Sequence, residues 1–226
     1  HRALDIFVRE HPRDLPPEPL QRLLEIGRQT FAGHMDRPGV RAFWWPRFER
    51  VAAWFVEIER DRRRSLSATA TEQRGELSVD GPAGPFTVTG IADRIDRLGD
   101  GSYAIVDYKT GGRPTRTELK NGAAPQLPLE ALMLAHGGFP GLPAGETSSL
   151  AYWRVGGGDP PGTIDEVADG VADLVAEAEA GLRDLIATFD DPATPYHSVP
   201  DAGRRPRFND YEHLARIGEW AAGEEE

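Results

Sequence analysis

Two β-rich segments joined by a short glycine turn constrain the fold of this chain more than any other feature of its sequence. FTVTGIADRIDRL (86–98) and SYAIVDYKT (102–110) are separated only by GDG. SATATEQRGELSV (67–79) precedes them and alternates small or β-branched residues with polar ones. Short glycine-containing turns join strands that are antiparallel neighbours in a sheet. The sequence therefore predicts a three-stranded antiparallel meander.

Helical patterns precede the meander. Apolar residues recur at helical spacing over 1–10, 17–35 and 44–64, and Pro46 suits the first turn of the third helix. We therefore predict a helical front end. The large aromatic residues of this region are assigned to its core rather than to a surface on which nucleobases stack: Trp44, Trp45, Trp54 and Phe55.

The pattern after the meander predicts a helix over 124–137, a strand over 148–155 and one long amphipathic helix over 163–189. Thr163 or Asp165 is expected near the cap of the long helix. A crossover helix before the fourth strand makes that strand parallel to one strand of the meander. The predicted class is α/β, with a small mixed sheet flanked by helices.

The chain is expected to form a single domain over residues 1–226. Its parts are a helical front end at about 1–64, a catalytic α/β core at about 65–190, and a tail with a short helix at about 191–226. The short helix is predicted over 211–220. Because the first residue is His1 rather than methionine, we expect a fragment of a longer chain.

Composition excludes several classes of protein. No apolar run approaches the ~20 residues that cross a bilayer, and no signal-peptide pattern opens the chain, so we expect a cytoplasmic protein without a membrane contact. Cysteine is absent, which excludes disulfides, thiolate zinc sites and cysteine-held iron–sulfur clusters. The formal net charge of −11 argues against a self-sufficient, nonspecific nucleic-acid binder, although basic clusters occur at 59–64, 111–116 and 203–208.

Charged residues interrupt the two apolar strands of the hairpin. Side chains alternate along a strand, so Asp107 and Lys109 share one face, and a hairpin that closes at GDG brings Asp93 beside them. The pair at 107 and 109 could be a surface ion pair of little energetic value. It could also belong to a metal site, because two adjacent carboxylates repel each other unless a cation lies between them. Hard oxygen ligands suit Mg²⁺ or Mn²⁺, and Lys109 could orient or deprotonate a water or offset charge on a phosphate.

These motifs resemble a known family of nucleases. GIADRID (90–96), IVDYKTG (105–111) and QLPLEALML (126–134) occur in the order seen in the PD-(D/E)XK nuclease superfamily. They are most similar to its RecB-like exonuclease branch, and in particular to the C-terminal nuclease domain of AddB-type subunits of bacterial helicase–nucleases. The resemblance implies a restriction-endonuclease-like core. The motif block covers residues 87–134, and weaker similarity in helical pattern extends to both ends.

The resemblance implies a set of site residues. His1, Asp93 and Asp107 correspond to side-chain ligands of the metal, and the carbonyl of Tyr108 to a further ligand. Lys109 corresponds to the catalytic cation.

Three further positions follow from the same comparison. Gln126 corresponds to the family's glutamine, which positions the active site or the DNA backbone, but Glu130 stands where an aromatic residue often follows it. Glu72 is a candidate for an additional acid or for a group behind the ligands. Arg94 belongs either to a salt-bridged sheet face or to a phosphate contact.

The function implied by the resemblance is an Mg²⁺- or Mn²⁺-dependent DNA exonuclease that acts in double-strand break repair within a helicase–nuclease complex. Its partners would be single-stranded DNA ends and a helicase–nuclease subunit, in the bacterial cytoplasm at the nucleoid. Many AddB-type nuclease domains carry four cysteines that hold an iron–sulfur cluster, and no such cluster is expected in this chain. Two alternatives stay open: an inactive nuclease-fold module that binds or scaffolds a repair complex, and a two-carboxylate metalloenzyme that cleaves a small phosphomonoester.

Overall fold

A computed structural model describes residues 1–34 and 36–197 of the protein. The helices are α1 (Arg2–Glu10), α2 (Pro19–Phe31), α3 (Trp45–Arg62), α4 (Arg116–Lys120), α5 (Gln126–Ala135) and α6 (Val171–Asp190). The strands are β1 (Leu66–Gly81), β2 (Gly84–Leu98), β3 (Tyr103–Lys109), β4 (Thr147–Arg154) and β5 (Thr163–Val167). A short 3₁₀ turn at Ala32–His34 and a π-helical turn at Val40–Trp44 lie between α2 and α3. The helix predicted over 211–220 and the basic cluster at 203–208 lie outside the described residues.

The five strands form one mixed sheet in the order β1-β2-β3-β4-β5. β1, β2 and β3 pair antiparallel, and β4 pairs parallel to β3 after the crossover through α5. The predicted meander, the parallel fourth strand and the α/β class are therefore confirmed.

The prediction of one long helix over 163–189 is wrong. Residues Thr163–Val167 form β5, which pairs antiparallel to the outer edge of β4, and α6 begins only at Val171. Gly170 precedes α6 with a φ of 75°, a left-handed conformation that glycine adopts without a steric cost and that separates the strand from the helix. The free backbone groups of β4 supply hydrogen bonds that the local sequence pattern does not reveal.

Helices cover both faces of the sheet and form two apolar cores. Alternate residues of the central strand β3 enter opposite cores, so Ile105 packs toward α5 and α6 whereas Val106 packs toward α1, α2 and α3. β4 divides its residues in the same way, with Tyr152 on the first side and Trp153 on the second. β3 is therefore buried on both faces up to its carboxyl end, where Lys109 is partly exposed.

A buried network of charges attaches α3 to β2. Arg94 is 0% exposed, and its guanidinium donates to Glu59 of α3 at 2.5 Å and to Asp96 at 2.8 Å. Arg62 donates to the second oxygen of Asp96 at 2.7 Å. Burial opposes the charge on Arg94, but the carboxylates of Asp96 and Glu59 outweigh that cost and raise the pKa of Arg94. The network joins the helical front end to the sheet.

None of the helices in residues 1–34 and 36–197 has the length and the apolar character needed to span a membrane.

Candidate active site

The β2–β3 hairpin brings the two predicted aspartates together where its ladder ends. The last paired residues are Arg94 and Val106, and Asp93 and Asp107 are the next residues outward on the two strands. The carboxylate of Asp93 reaches across the gap, because the backbone N–H of Tyr108 donates to its Oδ2 at 2.8 Å. The arrangement leaves Asp93 partly exposed, at 17%, and Asp107 buried, at 3%.

Lys109, Asp107 and Gln126 form one hydrogen-bonded group. The Lys109 ammonium lies 2.8 Å from Asp107 Oδ2 and 3.0 Å from Oδ1, and it donates to Gln126 Oε1 at 3.3 Å. The Gln126 amide in turn donates to Asp107 Oδ1 at 2.8 Å. Burial raises the pKa of Asp107 above its usual range, and the hydrogen bond and charge of Lys109 oppose that rise. Gln126 is the first residue of α5, so the start of this helix closes the group.

The carbonyl of Tyr108 is directed toward the same gap. Carbonyl groups alternate in direction along a strand, and the carbonyl of Lys109 accepts from the N–H of Val155 on the β4 side. The carbonyl of Tyr108 consequently points toward β2, where the ladder has already ended at Arg94. Its phenol is buried on the α3 side, which fixes the backbone.

His1 approaches the aspartates from α1. Its Nδ1 lies 3.7 Å from Asp93 Oδ2, and its side chain is 39% exposed. One turn later, the buried carboxylate of Asp5 accepts a hydrogen bond from Thr71 Oγ1 of β1 at 2.6 Å and pairs with Arg9. This contact attaches α1 to the sheet beside the site, so Asp5 determines where His1 lies.

Glu72 lies next to Asp93 in a distorted part of the sheet. The β1–β2 register joins Thr71 to Arg94 and Gln73 to Ala92, which leaves Glu72 and Asp93 opposite each other but unpaired. Glu72 has a φ of 49°, a left-handed conformation that costs free energy for a residue other than glycine. Partial burial and the charge of Asp93 raise the pKa of Glu72. Glu72 is therefore near the site.

The structure does not bring Arg94 to the site. Its guanidinium is enclosed by Glu59 and Asp96 on the α3 side of the sheet, with no surface left for a phosphate. Of the two roles considered for Arg94, the geometry leaves only the structural one.

Two buried residues beside the site were not identified from the sequence. Glu130 lies one turn after Gln126, whose amide donates to Glu130 Oε1 at 3.1 Å, and Oε2 has no hydrogen-bond partner among the described residues. Burial raises the pKa of Glu130 to about 8. Tyr152 of β4 is opposite Asp107 in the sheet, and the Lys109 ammonium lies 5.8 Å from the centre of its ring. Glu130 is the only charged residue in α5, which is the signal that could have identified it.

The donor atoms at the end of the β2–β3 ladder suit a hard divalent cation. Asp107 Oδ2 is buried and accepts no hydrogen bond of acceptable geometry, although Lys109 is close to it, so an acceptor is left for another cation. Carboxylate and carbonyl oxygens are the ligands that Mg²⁺ and Mn²⁺ prefer, and the imidazole of His1 lies beside them. In residues 1–34 and 36–197, no three acidic or histidine side chains are already arranged around one point as ligands. The donor types fit such an ion, and its binding would recruit them.

The chain matches one family model and several curated proteins. The model of the PD-(D/E)XK nuclease superfamily matches residues 1–203. An uncharacterized protein of Rickettsia bellii is 28% identical over 139 residues, which is 62% of this chain and 17% of that protein. A second, from Rickettsia felis, is 32% identical over 117 residues, which is 52% of this chain and 14% of that protein.

A shorter match reaches a named enzyme. An ATP-dependent helicase/deoxyribonuclease subunit of Streptococcus agalactiae is 40% identical over 63 residues, which is 27% of this chain and 6% of that protein. The solved structure of SSO0001 superposes with a TM-score of 0.34 at 14% identity, over 69% of each chain. The chain thus spans less than a fifth of the curated relatives that it matches. The family model covers most of the chain, and the motif residues of the chain converge at the end of the β2–β3 ladder. The chain therefore belongs to the PD-(D/E)XK nuclease superfamily.

Proposed function

We propose that this domain is an Mg²⁺- or Mn²⁺-dependent DNA exonuclease. The observation that carries the proposal is the convergence of Asp93, Asp107, Lys109 and Gln126 at the end of the β2–β3 ladder. A single-stranded end is the substrate that we favour. Membership of a nuclease superfamily supports phosphodiester hydrolysis rather than cleavage of a small phosphomonoester.

Each residue has a role that follows from its position. Asp93, Asp107, His1 and the Tyr108 carbonyl would hold the ion, with Glu72 as an additional acid behind them. When bound, the ion supplies positive charge that lowers the pKa of water and offsets charge on the phosphate. Water would attack the phosphorus in line and lose a proton as its oxygen bonds to phosphorus. The bond to the 3′ oxygen would break, which leaves a 5′ phosphate on one product and a 3′ oxygen that takes up a proton to become a hydroxyl on the other.

Lys109 and Gln126 prepare the site for that attack. The ammonium offsets the negative charge that develops on the phosphate oxygens, in a site where Asp107 is already shielded from solvent. Gln126 contacts both Lys109 and Asp107, so it holds the ammonium and the carboxylate at a fixed separation.

We further propose that the domain works within a helicase–nuclease complex in the bacterial cytoplasm. The partial similarity to a helicase/deoxyribonuclease subunit supports this assignment, and so does the net charge of −11, which gives the domain little long-range attraction for DNA. A partner that delivers the strand would supply what the charge of this domain does not.

Two variants test the chemistry. Asp107→Asn removes a carboxylate charge, and Lys109→Met removes the ammonium and keeps an unbranched apolar side chain of similar length. Because Asp107 would hold the ion and Lys109 would offset charge on the phosphate, we expect each variant to lower Mg²⁺-dependent degradation of single-stranded DNA by at least about 10²-fold. The measurement is the release of labelled nucleotides from a linear strand. Circular dichroism checks that both variants remain folded.

Lys120→Met is the matched control, because Lys120 is the only other lysine of the chain and is exposed at the end of α4. It should degrade DNA like the parent. Circular single-stranded DNA should survive if the enzyme needs an end. Parent-like cleavage by both site variants would refute the roles assigned to Asp107 and Lys109. A parent that neither cuts DNA nor binds Mn²⁺ in calorimetry would support the inactive binding module instead.

A further inference from the structure

A cavity of about 420 Å³ is lined by residues of α1, α2 and α3, by the turn that precedes α3, and by the segments that follow β3 and β4. Its lining residues include His1, Arg2, Trp44, Arg47, Phe48 and Thr110. No role in the proposed hydrolysis depends on Trp44, Arg47 or Phe48.

The cavity adjoins the candidate active site. His1 lines it and also lies 3.7 Å from Asp93, and Thr110 directly follows Lys109 on the chain. A group held in the cavity would therefore lie beside the residues at which we place the scissile phosphate.

The walls carry positive charge although the protein as a whole is acidic. Arg2 and Arg47 line the cavity together with His1, and none of its lining residues is an aspartate or a glutamate. Neither arginine has a carboxylate partner among the described residues, in contrast to Arg22, Arg62 and Arg94. Two unpaired guanidinium groups near an apolar wall favour an anionic ligand that also has an apolar part.

Trp44 supplies a surface for stacking. The residue ends the π-helical turn Val40–Trp44, and 59% of it is exposed, so the expectation that it belongs to the core is wrong. Trp54 and Phe55 are packed into or against the core, as expected. The Arg47 guanidinium carbon lies 5.8 Å from the centre of the Trp44 ring. An exposed indole beside an arginine is an arrangement that binds nucleobases and their phosphates.

We propose that this cavity binds a nucleobase of single-stranded DNA next to the scissile phosphate, with the base stacked on Trp44 and the adjoining phosphates contacted by Arg47 and Arg2. The proposal rests on the proposed function, because it supplies the strand selectivity of that nuclease. Bases of a duplex are stacked in pairs, so they cannot enter the cavity unless the strands separate.

Binding without catalysis gives the direct test. The probe is a fluorescein-labelled oligothymidylate of about ten nucleotides, titrated in EDTA and followed by anisotropy. We expect Trp44→Ala to weaken binding about tenfold, because one stacked base is lost, and Trp44→Phe to retain most of the affinity. Arg47→Gln should weaken binding as well. Phe86→Ala is the control, since Phe86 is an exposed aromatic residue on β2, and it should bind like the parent.

A second probe separates stacking from attraction to phosphate. An abasic sugar–phosphate strand of the same length should bind the parent more weakly than oligothymidylate does. Trp44→Ala should bind both strands equally, because the ring that distinguishes them is gone.

The outcomes distinguish the two proposals. The cavity proposal is overturned if Trp44→Ala binds like the parent, if Phe86→Ala loses as much affinity, if the abasic strand binds equally well, or if the parent does not bind oligothymidylate. A parent that binds oligothymidylate with these preferences but never cuts DNA would contradict the nuclease activity and leave the cavity assignment standing.

Discussion

At the scale of single residues, each charged group of the site is controlled by a neighbour from another element. Asp107 of β3 is held by Lys109 and by Gln126 of α5, and Glu130 lies behind Gln126. The glutamine amide has two acceptors for its N–H groups and one donor for its oxygen, so its orientation is determined. Glu130 thereby contacts the site through Gln126.

The stability of the protein should depend on pH through Glu130. The pKa of Glu130 is about 8 in the folded protein and 4.5 in its unperturbed state, so between these values the unfolded chain loses a proton that the folded chain keeps. The free energy of unfolding should fall as pH rises from about 4.5 to about 8, by at most about 5 kcal/mol, because one pKa unit corresponds to about 1.4 kcal/mol.

Glu130→Gln removes this ionisation and keeps the shape of the side chain. Urea unfolding in EDTA at pH 5 and at pH 8 should therefore show the variant gaining stability relative to the parent as pH rises. Glu177→Gln, on the exposed part of α6, is the control and should leave the pH dependence of the parent unchanged. An identical pH dependence for the parent and Glu130→Gln would show that Glu130 is ionised in the folded protein at neutral pH.

At the scale of secondary structure elements, the attachment of α3 to β2 depends on one buried network. Arg94 bridges Glu59 of α3 and Asp96 of β2, and all three side chains are 0% exposed. Arg94 is the cation that both carboxylates share, while Arg62 also pairs with Asp96 and Arg63 with Glu59. The attachment also orients the start of α3, where Trp45 and Phe48 pack against Phe31 of α2.

Arg94→Met should therefore destabilise the protein strongly. It removes the cation that two buried carboxylates share and leaves each of them with one flanking arginine, and breaking a buried pair in this way costs about 3–5 kcal/mol. Arg64→Met is the matched control, because the Arg64–Asp61 pair is about 80% exposed and such pairs contribute about 0–1 kcal/mol. Chemical denaturation measures both.

Replacing every charged residue of the buried network tests whether unpaired charge causes that loss of stability. Glu59→Leu and Asp96→Leu combined with Arg94→Met should recover much of the stability once Arg62 and Arg63, which pair with Asp96 and Glu59, are also replaced by Met, because no unpaired charge then remains in the core. A single variant Arg94→Met that is as stable as the parent would contradict the compensating role of the guanidinium.

At the scale of the whole molecule, the net charge of the protein is negative, whereas the charge of the cavity beside the site is positive. The chain carries 37 acidic and 26 basic residues, whereas the cavity beside the site has two arginines and no acid. Long-range repulsion of DNA therefore coexists with a local surface that accepts a strand once it has been delivered.

This balance predicts a weak dependence of DNA binding on salt. Each phosphate contact on a single strand contributes a slope of about −0.7 to the logarithm of the affinity against the logarithm of the salt concentration, so two arginines predict a slope of about −1.4. Oligothymidylate titrations in EDTA over a range of NaCl concentrations measure it. Arg47→Gln should reduce the slope by about half. A slope steeper than about −4 would indicate a more extensive basic surface than the cavity provides.

The sequence by itself determined those features that depend on short-range periodicity. Alternation and glycine turns specified the meander, and the spacing within IVDYKTG placed Asp107 and Lys109 on one face opposite Asp93. The helical period specified α1, α2, α3 and α5. The order of the three motifs also identified the family. The hairpin and the following helix bring the motif residues to the end of the β2–β3 ladder.

Only the tertiary structure decided the rest, because it depends on groups that are distant in sequence. Residues 163–167 form a strand because the edge of β4 offers backbone partners, and the local pattern alone favours a helix. The burial of Glu130 and the enclosure of Arg94 by α3 follow from how helices pack on the sheet. The exposure of Trp44 follows in the same way, since a side chain's burial is set by its neighbours in space rather than by its type.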